Sequence, residues 1–393
     1  MKSSNHLIDF SNTEIAFKLK TDSELERAYF LFKMIANEPL VRIGTLATNF
    51  ALKTNLPIEG LIRSTVFDHF CGGVDTEDCL PKINRIYKSG VFSILDYSVE
   101  GKQEEKQFDF VVEKTLNLID FAANNKAIPF TVFKPSAVGR LKIYQKISNN
   151  DRLKPDELSE WNRVENRFHT ICKYAKKNNI SVLIDAEESW IQVAVDKLAL
   201  KLMKTYNSKK VFVYNTLQAY RWDRLEYLKK IHLLAEKEQF NLGFKLVRGA
   251  YMEKERIRAK VNGYVSPICK TKSETDDSFD SCLRYILNNL PHIKLFLGTH
   301  NEKSTTEALE IINKLGLCNN DARIWFGQLF GMSDHISFNL AKKGYNVTKY
   351  LPFGPVKDVM PYLIRRAEEN TSVTGQTTRE LKLIKKEKKR RKF

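Results

Sequence analysis

The chain has 393 residues, 42% of them hydrophobic and 28% charged, and a formal net charge of +17. This length accommodates one large α/β barrel with an accessory segment, or two ordinary domains, and the composition is that of a soluble globular protein. No run of about 18 apolar residues occurs, so no membrane-spanning segment is expected.

The first residues carry Asp9 and Glu14 and lack an apolar stretch. They resemble neither a secretory signal nor an Arg-rich transit peptide, which predicts a cytoplasmic location. Helical patterns follow in the first 90 residues, and the predicted helices are Ser23–Asn37, Val41–Leu52 and Glu77–Lys88.

From about residue 91 onward, a short apolar run followed by an amphipathic helical pattern recurs eight times. The predicted strands are Phe92–Tyr97, Phe130–Phe133, Val182–Ile184, Val211–Tyr214, Phe244–Val247, Leu295–Leu297, Ile324–Phe326 and Val347–Leu351. The predicted helices are Phe108–Asn125, Glu157–Lys177, Trp190–Thr205, Leu225–Glu238, Ser278–Asn289, Ser304–Leu315, Asp334–Lys342 and Val359–Asn370.

Eight strand–helix units predict a (β/α)8 barrel, with a doubly wound sheet as the alternative. The predicted domains are a helical N-terminal segment (1–90), the barrel (91–375) and a basic C-terminal tail (376–393). The six cysteines include no C-x-x-C pair and the seven histidines show no ligand spacing, so we expect reduced, mostly buried thiols and no metal.

Polar residues occur where the predicted strands end, which is where a barrel carries its active site. They are Lys134, Asp185, Gln218, Arg248, Tyr251, Thr299, His300, Asn301 and Gln328, with Tyr350 inside the eighth strand. Any one of them has an ordinary alternative: Asp185 as a helix N-cap, for example, or His300 as a structural histidine.

The last predicted helix of the barrel carries two adjacent arginines, Arg365 and Arg366, with Asp358 as its expected N-cap and Pro361 in its first turn. Two guanidinium forks suit a small carboxylate lying between them. The alternative is a solvated basic turn paired with Glu368 and Glu369.

Five segments in this order resemble the motifs of the proline dehydrogenase family: LVRGAYMEKER (246–256), GTHN (298–301), FGQLFGM (326–332), YLPFGP (350–355) and YLIRRAEEN (362–370). The resemblance is to the single-function form. It implies flavin-dependent oxidation of L-proline to Δ1-pyrroline-5-carboxylate on a (β/α)8 barrel, with FAD held non-covalently. Implied partners are a membrane quinone, which takes the electrons, and pyrroline-5-carboxylate dehydrogenase, through transient contact.

The resemblance also implies residue roles. Asp185 and Lys245 match catalytic positions. Substrate-binding positions are matched by Lys134, Tyr251, Leu329, Tyr350, Arg365 and Arg366. Cofactor-binding positions are matched by Ala186, Gln218, Lys245, Val247, Arg248, Gly249, Ala250, Thr299, His300, Asn301 and Glu369. Glu369 has two open roles, orienting Arg365 or reaching the cofactor.

Lys245 departs from the arginine that many bacterial members carry beside flavin N5, and matches the mitochondrial branch instead. It keeps a cation there but not a bidentate fork. No residue is an obvious base for the substrate amine.

Two rival functions remain at this stage. A sister enzyme could act on hydroxyproline, although the resemblance puts Tyr350 where the added hydroxyl would crowd. A nucleic-acid-binding regulator would need a ribbon-helix-helix segment, which the sequence lacks.

The final twelve residues hold eight Lys/Arg and one Glu. This tail predicts either salt-sensitive docking to an anionic membrane surface, with Leu383, Ile384 and Phe393 as its apolar residues, or a disordered solubility tail.

Overall fold

A computed structural model describes residues 8–37, 39–41, 44, 46, 54, 59–97, 103–372 and 376–392, with backbone alone for 61, 367–372 and 376. The predicted helix Val41–Leu52 falls almost wholly outside the described residues. Within them, no helix combines the length and apolarity that crossing a bilayer requires.

Eight parallel strands form one sheet that curves into a nearly closed barrel, in the order β1-β8-β7-β6-β5-β4-β3-β2. The strands are β1 Val91–Tyr97, β2 Phe130–Phe133, β3 Ser181–Ile184, β4 Val213–Gln218, β5 Leu242–Val247, β6 Ile293–Gly298, β7 Ile324–Leu329 and β8 Val347–Phe353. The predicted (β/α)8 class is confirmed, and the doubly wound alternative is wrong because the first and last strands pair with each other, Val91 opposite Val347.

The fourth strand shows why its predicted bounds, Val211–Tyr214, were wrong. The strand continues through Asn215 and Thr216, two polar residues that the apolar pattern excluded. Asn215 Nδ2 donates to Asp196 Oδ1 at 2.8 Å and Thr216 Oγ1 donates to the Ile184 carbonyl at 2.7 Å. Buried polar side chains with such partners are tolerated inside a strand.

The helices are α1 Thr13–Ala16, α2 Asp22–Ile35, α3 Glu59–Ile62, α4 Asp68–Phe70, α5 Thr76–Tyr87, α6 Glu105–Ala123, α7 Leu141–Ser148, α8 Pro155–Lys177, α9 Ser189–Tyr206, α10 Arg224–Glu238, α11 Met252–Asn262, α12 Lys272–Asn288, α13 Glu302–Lys314, α14 Asp334–Lys342, α15 Val356–Ser372 and α16 Gln376–Arg391. A π-helical turn, Arg63–Phe67, joins α3 to α4. Six helices were not predicted from the sequence: the short α1, α3 and α4, and the longer α7, α11 and α16.

The chain forms two compact units. The first unit comprises Met1–Val99, His300–Glu302 and Gly327–Phe393, and the second comprises Glu100–Thr299 and Lys303–Phe326. The N-terminal helices therefore share a unit with β1, β8 and the C-terminal helices, because the two ends of the chain pack together.

The C-terminal residues form the packed helix α16, so the hypothesis of a disordered tail is wrong. Leu383 and Ile384 are 2% and 1% exposed, and they join a hydrophobic cluster that includes Leu25 and Phe32 of α2. These two side chains are therefore unavailable as apolar contacts for a membrane.

Much of the positive charge of α16 is paired within the first unit. Arg391 Nη1 lies 2.9 Å from Asp22 Oδ1, and Lys388 forms an ion pair with Glu26. Glu387 is fully buried and accepts hydrogen bonds from Arg390 and Arg391, which lower its pKa to about 2 against the opposing effect of desolvation. The charge run is thus part of a structured surface.

Replacing Ile384 should test whether α16 is an integral part of the first unit. Ile384→Ala should lower the free energy of unfolding by about 2–5 kcal/mol, because it removes buried methyl groups and leaves a cavity. Urea denaturation followed by circular dichroism measures this. Lys389→Ala, at an exposed position of the same helix, should change it by no more than about 0.5 kcal/mol. If both variants changed the free energy of unfolding by the same small amount, α16 would not be part of the hydrophobic core.

Candidate functional site

In the second unit, one carboxylate is held by two lysines, of which one follows β2 and the other lies inside β5. Asp185 follows β3 directly and forms an ion pair with Lys245 of β5. Lys134, which follows β2, places its Nζ 3.4 Å from the other carboxylate oxygen of Asp185. Burial by itself raises the pKa of Asp185, but the two ammonium charges outweigh it and the pKa is lowered. The structure thus brings together three of the predicted residues as an ionised group.

Gln218 has a side chain whose hydrogen-bonding capacity is only half used. It is the last residue of β4 rather than a residue following the strand, and it is 2% exposed. Its Nε2 donates to the Glu187 carbonyl at 2.8 Å. Among the described residues, its Oε1 has no hydrogen-bond partner. A buried amide oxygen without a donor costs free energy, so this atom is suited to a donor on a bound group.

Glu187 lies on the loop after β3 that carries Asp185, and it binds the loop after β2. Its carboxylate accepts hydrogen bonds from the backbone N–H and the hydroxyl of Ser136, at 2.8 and 2.6 Å. Ser136 lies two residues after Lys134, so Glu187 helps to fix the loop that carries this lysine. Nothing in the sequence pointed to Glu187 beyond its place near the end of a predicted strand.

The segment after β5 combines a fixed cation with a glycine that nothing larger can replace. The Arg248 guanidinium donates to Asp276 Oδ1 at 2.8 Å and to Thr299 Oγ1 and Ser304 Oγ at 3.0 Å. Gly249 has a φ of +131°, and a Cβ there would lie 2.6 Å from the ring of Tyr220. Glycine is required here by both backbone conformation and space.

The other predicted site residues of the second unit lie at or directly after the ends of its strands, or directly before α11. Tyr251 directly precedes α11, and the Lys254 ammonium lies 6.0 Å from its ring centroid. The remaining positions are Ala186 after β3, Val247 at the end of β5, Ala250 before α11 and Thr299 after β6.

In the first unit, His300 is linked to the C-terminal helix through one serine. His300 Nδ1 lies 2.9 Å from Ser333 Oγ. The backbone N–H of Ser333 donates to Glu380 Oε1 of α16 at 2.5 Å. Ser333 has a φ of +51°, a left-handed conformation that is uncommon without glycine. Desolvation, then the positive charges of Lys349 and Arg366, lowers the pKa of His300 to about 3, so the ring is neutral at pH 7.

A second contact ties α16 to the same short segment, since Glu302 follows Asn301 by one residue. Glu302 Oε1 lies 2.7 Å from Arg379 Nε and 3.0 Å from His335 Nε2. Although desolvation opposes it, these hydrogen bonds lower the pKa of Glu302 to about 2. Two α16 side chains therefore contact the neighbours of this segment: Glu380 binds the backbone of Ser333, and Arg379 binds the side chain of Glu302.

A buried lysine of β8 fixes the loop that follows β7. The Lys349 side chain is 1% exposed, and its Nζ lies 2.9 Å from Asp334 Oδ1. It also donates to the Met332 carbonyl and, at 3.4 Å, to the Leu329 carbonyl. Burial lowers the pKa of Lys349, while Asp334 opposes that shift. The signal in the sequence was a lone lysine within an apolar strand.

The arginine pair lies on α15, whose start differs from the prediction. The helix begins at Val356, so Asp358 lies inside the first turn rather than at the N-cap, and Pro361 lies within the helix. Arg366 is 9% exposed and its guanidinium carbon lies 5.4 Å from the centroid of the Tyr362 ring. The solvated-turn alternative is therefore wrong for Arg366.

Three further predicted positions belong to the first unit. Arg365 is half-buried on α15, and Leu329 ends β7 and packs against the hydrophobic cluster. Tyr350 lies in β8 as predicted and is 7% exposed. Gln328, predicted after β7, lies inside it, where its Oε1 accepts from Ser337 at 2.8 Å. The side chain of Glu369 lies outside the described residues.

The cysteines agree with the sequence-based expectation. All six are free thiols, and five are buried, the exception being Cys318. Burial raises the pKa of Cys172, so this thiol is not activated as a thiolate. Nucleophilic cysteine chemistry therefore has no support at this position.

Ionised and amide side chains placed at strand ends define a (β/α)8 protein of the kind that carries its functional site at that end of the barrel. Comparison with known proteins identifies the family. The family model described as "Proline dehydrogenase" matches residues 79–379. The chain belongs to the proline dehydrogenase family, and the predicted family membership is confirmed.

Individual relatives cover nearly the whole chain. It is 37% identical over 363 residues to the carbapenem antibiotics biosynthesis protein CarD of Pectobacterium carotovorum subsp. carotovorum, covering 91% of this chain and 93% of that protein. It is 30% identical to the mitochondrial proline dehydrogenase 1 of Arabidopsis thaliana, covering 98% of this chain and 86% of that protein.

A solved structure supports the fold alone. The crystal structure of proline utilization A (PutA) from Bdellovibrio bacteriovorus, inactivated by N-propargylglycine, matches with a TM-score of 0.70 at 20% identity. The match covers 92% of this chain and 38% of that chain.

The Glu380–Ser333 contact yields a testable prediction. Glu380→Ala should lower the free energy of unfolding by about 1–3 kcal/mol, because it leaves the buried Ser333 N–H without an acceptor. Glu380→Gln keeps an acceptor oxygen and should recover at least half of that loss. Urea denaturation gives the stability, and the NMR shifts of the His300 ring report its position. Indistinguishable Ala and Gln variants would remove this role from Glu380.

Proposed function

We propose that the protein oxidises L-proline to Δ1-pyrroline-5-carboxylate with non-covalently bound FAD, and that the electrons pass to a membrane quinone. The proposal rests on membership of the proline dehydrogenase family. The observation that carries it is the ion-paired group of Lys134, Asp185 and Lys245. Lys134 and Asp185 directly follow strands and Lys245 lies inside β5, at positions that resemble the family's substrate and catalytic residues.

The residues present fit a flavin. Gln218 offers a buried amide oxygen without a protein donor among the described residues, and the isoalloxazine ring carries an N–H that can donate to it. Arg248, Thr299 and His300 supply donors on neighbouring segments. When bound, FAD supplies the acceptor for the hydride that leaves the proline carbon next to nitrogen.

Lys245 is proposed to act electrostatically. Its ammonium group is held by Asp185, and the Lys245 residue is 7% exposed. A fixed cation in such a desolvated site stabilises negative charge that develops nearby more strongly than it would in water. Asp185 is proposed to hold this lysine in position, and Lys134 to add a second cation to the group while binding substrate.

Arg365 and Arg366 are proposed to bind the proline carboxylate. A buried guanidinium favours an anionic partner, and its planar fork matches the two carboxylate oxygens. Holding the carboxylate fixes the ring, which orients the carbon that reacts. Tyr251, Leu329 and Tyr350 are proposed to contact that ring, with buried Tyr350 disfavouring a substrate that carries a ring hydroxyl.

The function can be tested with the flavin spectrum of the purified protein. We expect a yellow protein whose absorbance near 450 nm bleaches anaerobically on adding L-proline, and much more slowly on adding trans-4-hydroxy-L-proline. Faster bleaching by hydroxyproline would favour the sister activity. A protein that cannot be reconstituted with flavin would contradict the proposal.

The arginine pair gives a sharper prediction. Arg366→Met should weaken proline binding by about 2–5 kcal/mol, or roughly 30-fold or more, because the carboxylate loses its charged partner. Stopped-flow bleaching at varied proline concentrations measures this, and Arg365→Met should act in the same direction. Flavin content should be unchanged. The control Arg27→Met, at an exposed position of α2, should bind proline as the unaltered protein does. Near-native kinetics for both Arg365→Met and Arg366→Met would exclude carboxylate binding by the arginine pair.

The identity and attachment of the cofactor can be tested separately. Acid or heat should release intact FAD, because the binding is proposed to be non-covalent. Chromatography of the supernatant distinguishes FAD from FMN. Flavin that stays with the precipitated chain would contradict this part of the proposal.

The remaining proposals concern partners and location. Quinone as acceptor requires a protein that reaches the membrane from the cytoplasm without spanning it. The product is proposed to pass to pyrroline-5-carboxylate dehydrogenase through transient contact. Membrane docking by the basic C-terminal residues, which the sequence predicts as one alternative, is now supported by their charge alone, because Leu383 and Ile384 are buried.

A further inference from the structure

Exposed apolar side chains concentrate on one part of the second unit. Of the fifteen exposed large hydrophobic residues among those described, five belong to α11, the loop after it and the adjoining residue Trp222. We call these five the α11 face: Ile257 (62% exposed), Val261 (77%), Tyr264 (41%), Val265 (86%) and Trp222 (63%). Single exposed apolar residues are ordinary, but a cluster marks an interaction surface.

Local geometry makes the α11 face continuous. Ile257 and Val261 are four residues apart on the helix and therefore neighbours on one side of it. The helix ends at Gly263, whose φ of +66° turns the chain, and the Tyr264 N–H donates to the Ala259 carbonyl at 3.1 Å. Trp222 joins from the side, because its Nε1 donates to the Ser266 carbonyl at 3.2 Å.

Positive charge surrounds the α11 face. Residues 252–272 contain six Lys/Arg and only two Glu. One of the two, Glu255, is fully buried, where it accepts hydrogen bonds from the N–H and hydroxyl of Ser189. The charge of this segment is therefore mostly basic. Lys254, Arg256 and Lys272 form ion pairs with Glu188, Glu253 and Asp276, and Arg258, Lys260 and Lys270 add three further positive charges.

We propose that the α11 face docks on an anionic lipid bilayer. Apolar side chains, aromatic rings with a polar edge and neighbouring basic residues favour contact between a protein surface and the interface of an anionic membrane. A second copy fits poorly, because a symmetric dimer would bring the same basic residues together. The inference rests on the proposed function, since a quinone acceptor resides in the bilayer. The inference adds to that function the surface that contacts the bilayer. This surface adjoins the proposed site, since α11 begins directly after Tyr251.

Vesicle binding tests this directly, without any need for enzyme activity. The probe is phosphatidylcholine vesicles with about 30 mol% phosphatidylglycerol, compared with phosphatidylcholine alone at low and high salt. The unaltered protein should co-sediment with the anionic vesicles at low salt, and the emission of Trp222 should shift to the blue. Trp222→Phe should remove that shift. Equal binding to both kinds of vesicle, or no shift, would overturn the proposal.

Paired variants locate the surface. Ile257→Glu combined with Val261→Glu should reduce vesicle partitioning by about tenfold or more, because it places carboxylates against lipid. Leu158→Glu combined with Leu233→Glu is the matched control, since these leucines are 51% and 65% exposed on other helices. The control should stay within about twofold of the unaltered protein.

Two alternatives, docking through α16 and binding of a second copy of the chain, predict different results. If Lys382→Gln with Lys389→Gln abolished binding while the α11 double variant bound normally, α16 would be the docking surface and the proposal would be wrong. A dimer in solution that the α11 variants dissociate, without vesicle binding, would assign the face to a second copy. Bleaching by L-proline in solution reports the proposed function independently, so the two failures are distinguishable.

Discussion

The loops at the strand ends depend most on one interaction, the pairing of buried carboxylates with lysines. Asp185 is held by Lys134 and Lys245 in one unit, and Asp334 by Lys349 in the other. An isolated charge in such surroundings would be neutralised or excluded, because desolvation costs several kcal/mol per ion. Ion pairing allows the carboxylates to stay ionised, and it fixes the positions of lysines that belong to different strands. Such groups are poor contributors to stability, which favours a functional reason for their presence.

The C-terminal helix links the end of the chain to the proposed site of the first unit. Its buried residues, Leu383 and Ile384, pack in the core, while Arg379 and Glu380 reach the residues beside His300. A helix anchored by apolar burial can hold polar contacts in place, because the entropy of ordering the helix is offset by its packing. The same element therefore serves stability and, through Ser333, the position of a proposed cofactor residue.

Net charge alone described the surface poorly. The chain carries +17, yet the basic residues of α16 accompany buried apolar side chains, whereas those around α11 surround exposed ones. Interfacial binding needs both charge and apolar contact. Only the folded arrangement shows where the two coincide, and this moves the proposed membrane contact from the C-terminus to the second unit.

The sequence by itself determined the barrel class, the family and most strand positions, because alternating β/α units and ordered motifs are local patterns that survive in one dimension. It also placed Lys134 and Asp185 at strand ends, and the family resemblance singled out Lys245 within the fifth strand. Tertiary structure alone decided that these three form one ion-paired group and that Arg366 is buried. It also decided that Glu187, Lys349 and Glu380 hold the neighbouring loops. Those facts depend on contacts between residues distant along the chain. The sequence did not predict α16, because its few apolar residues stand among many basic ones and their burial depends on packing against α2.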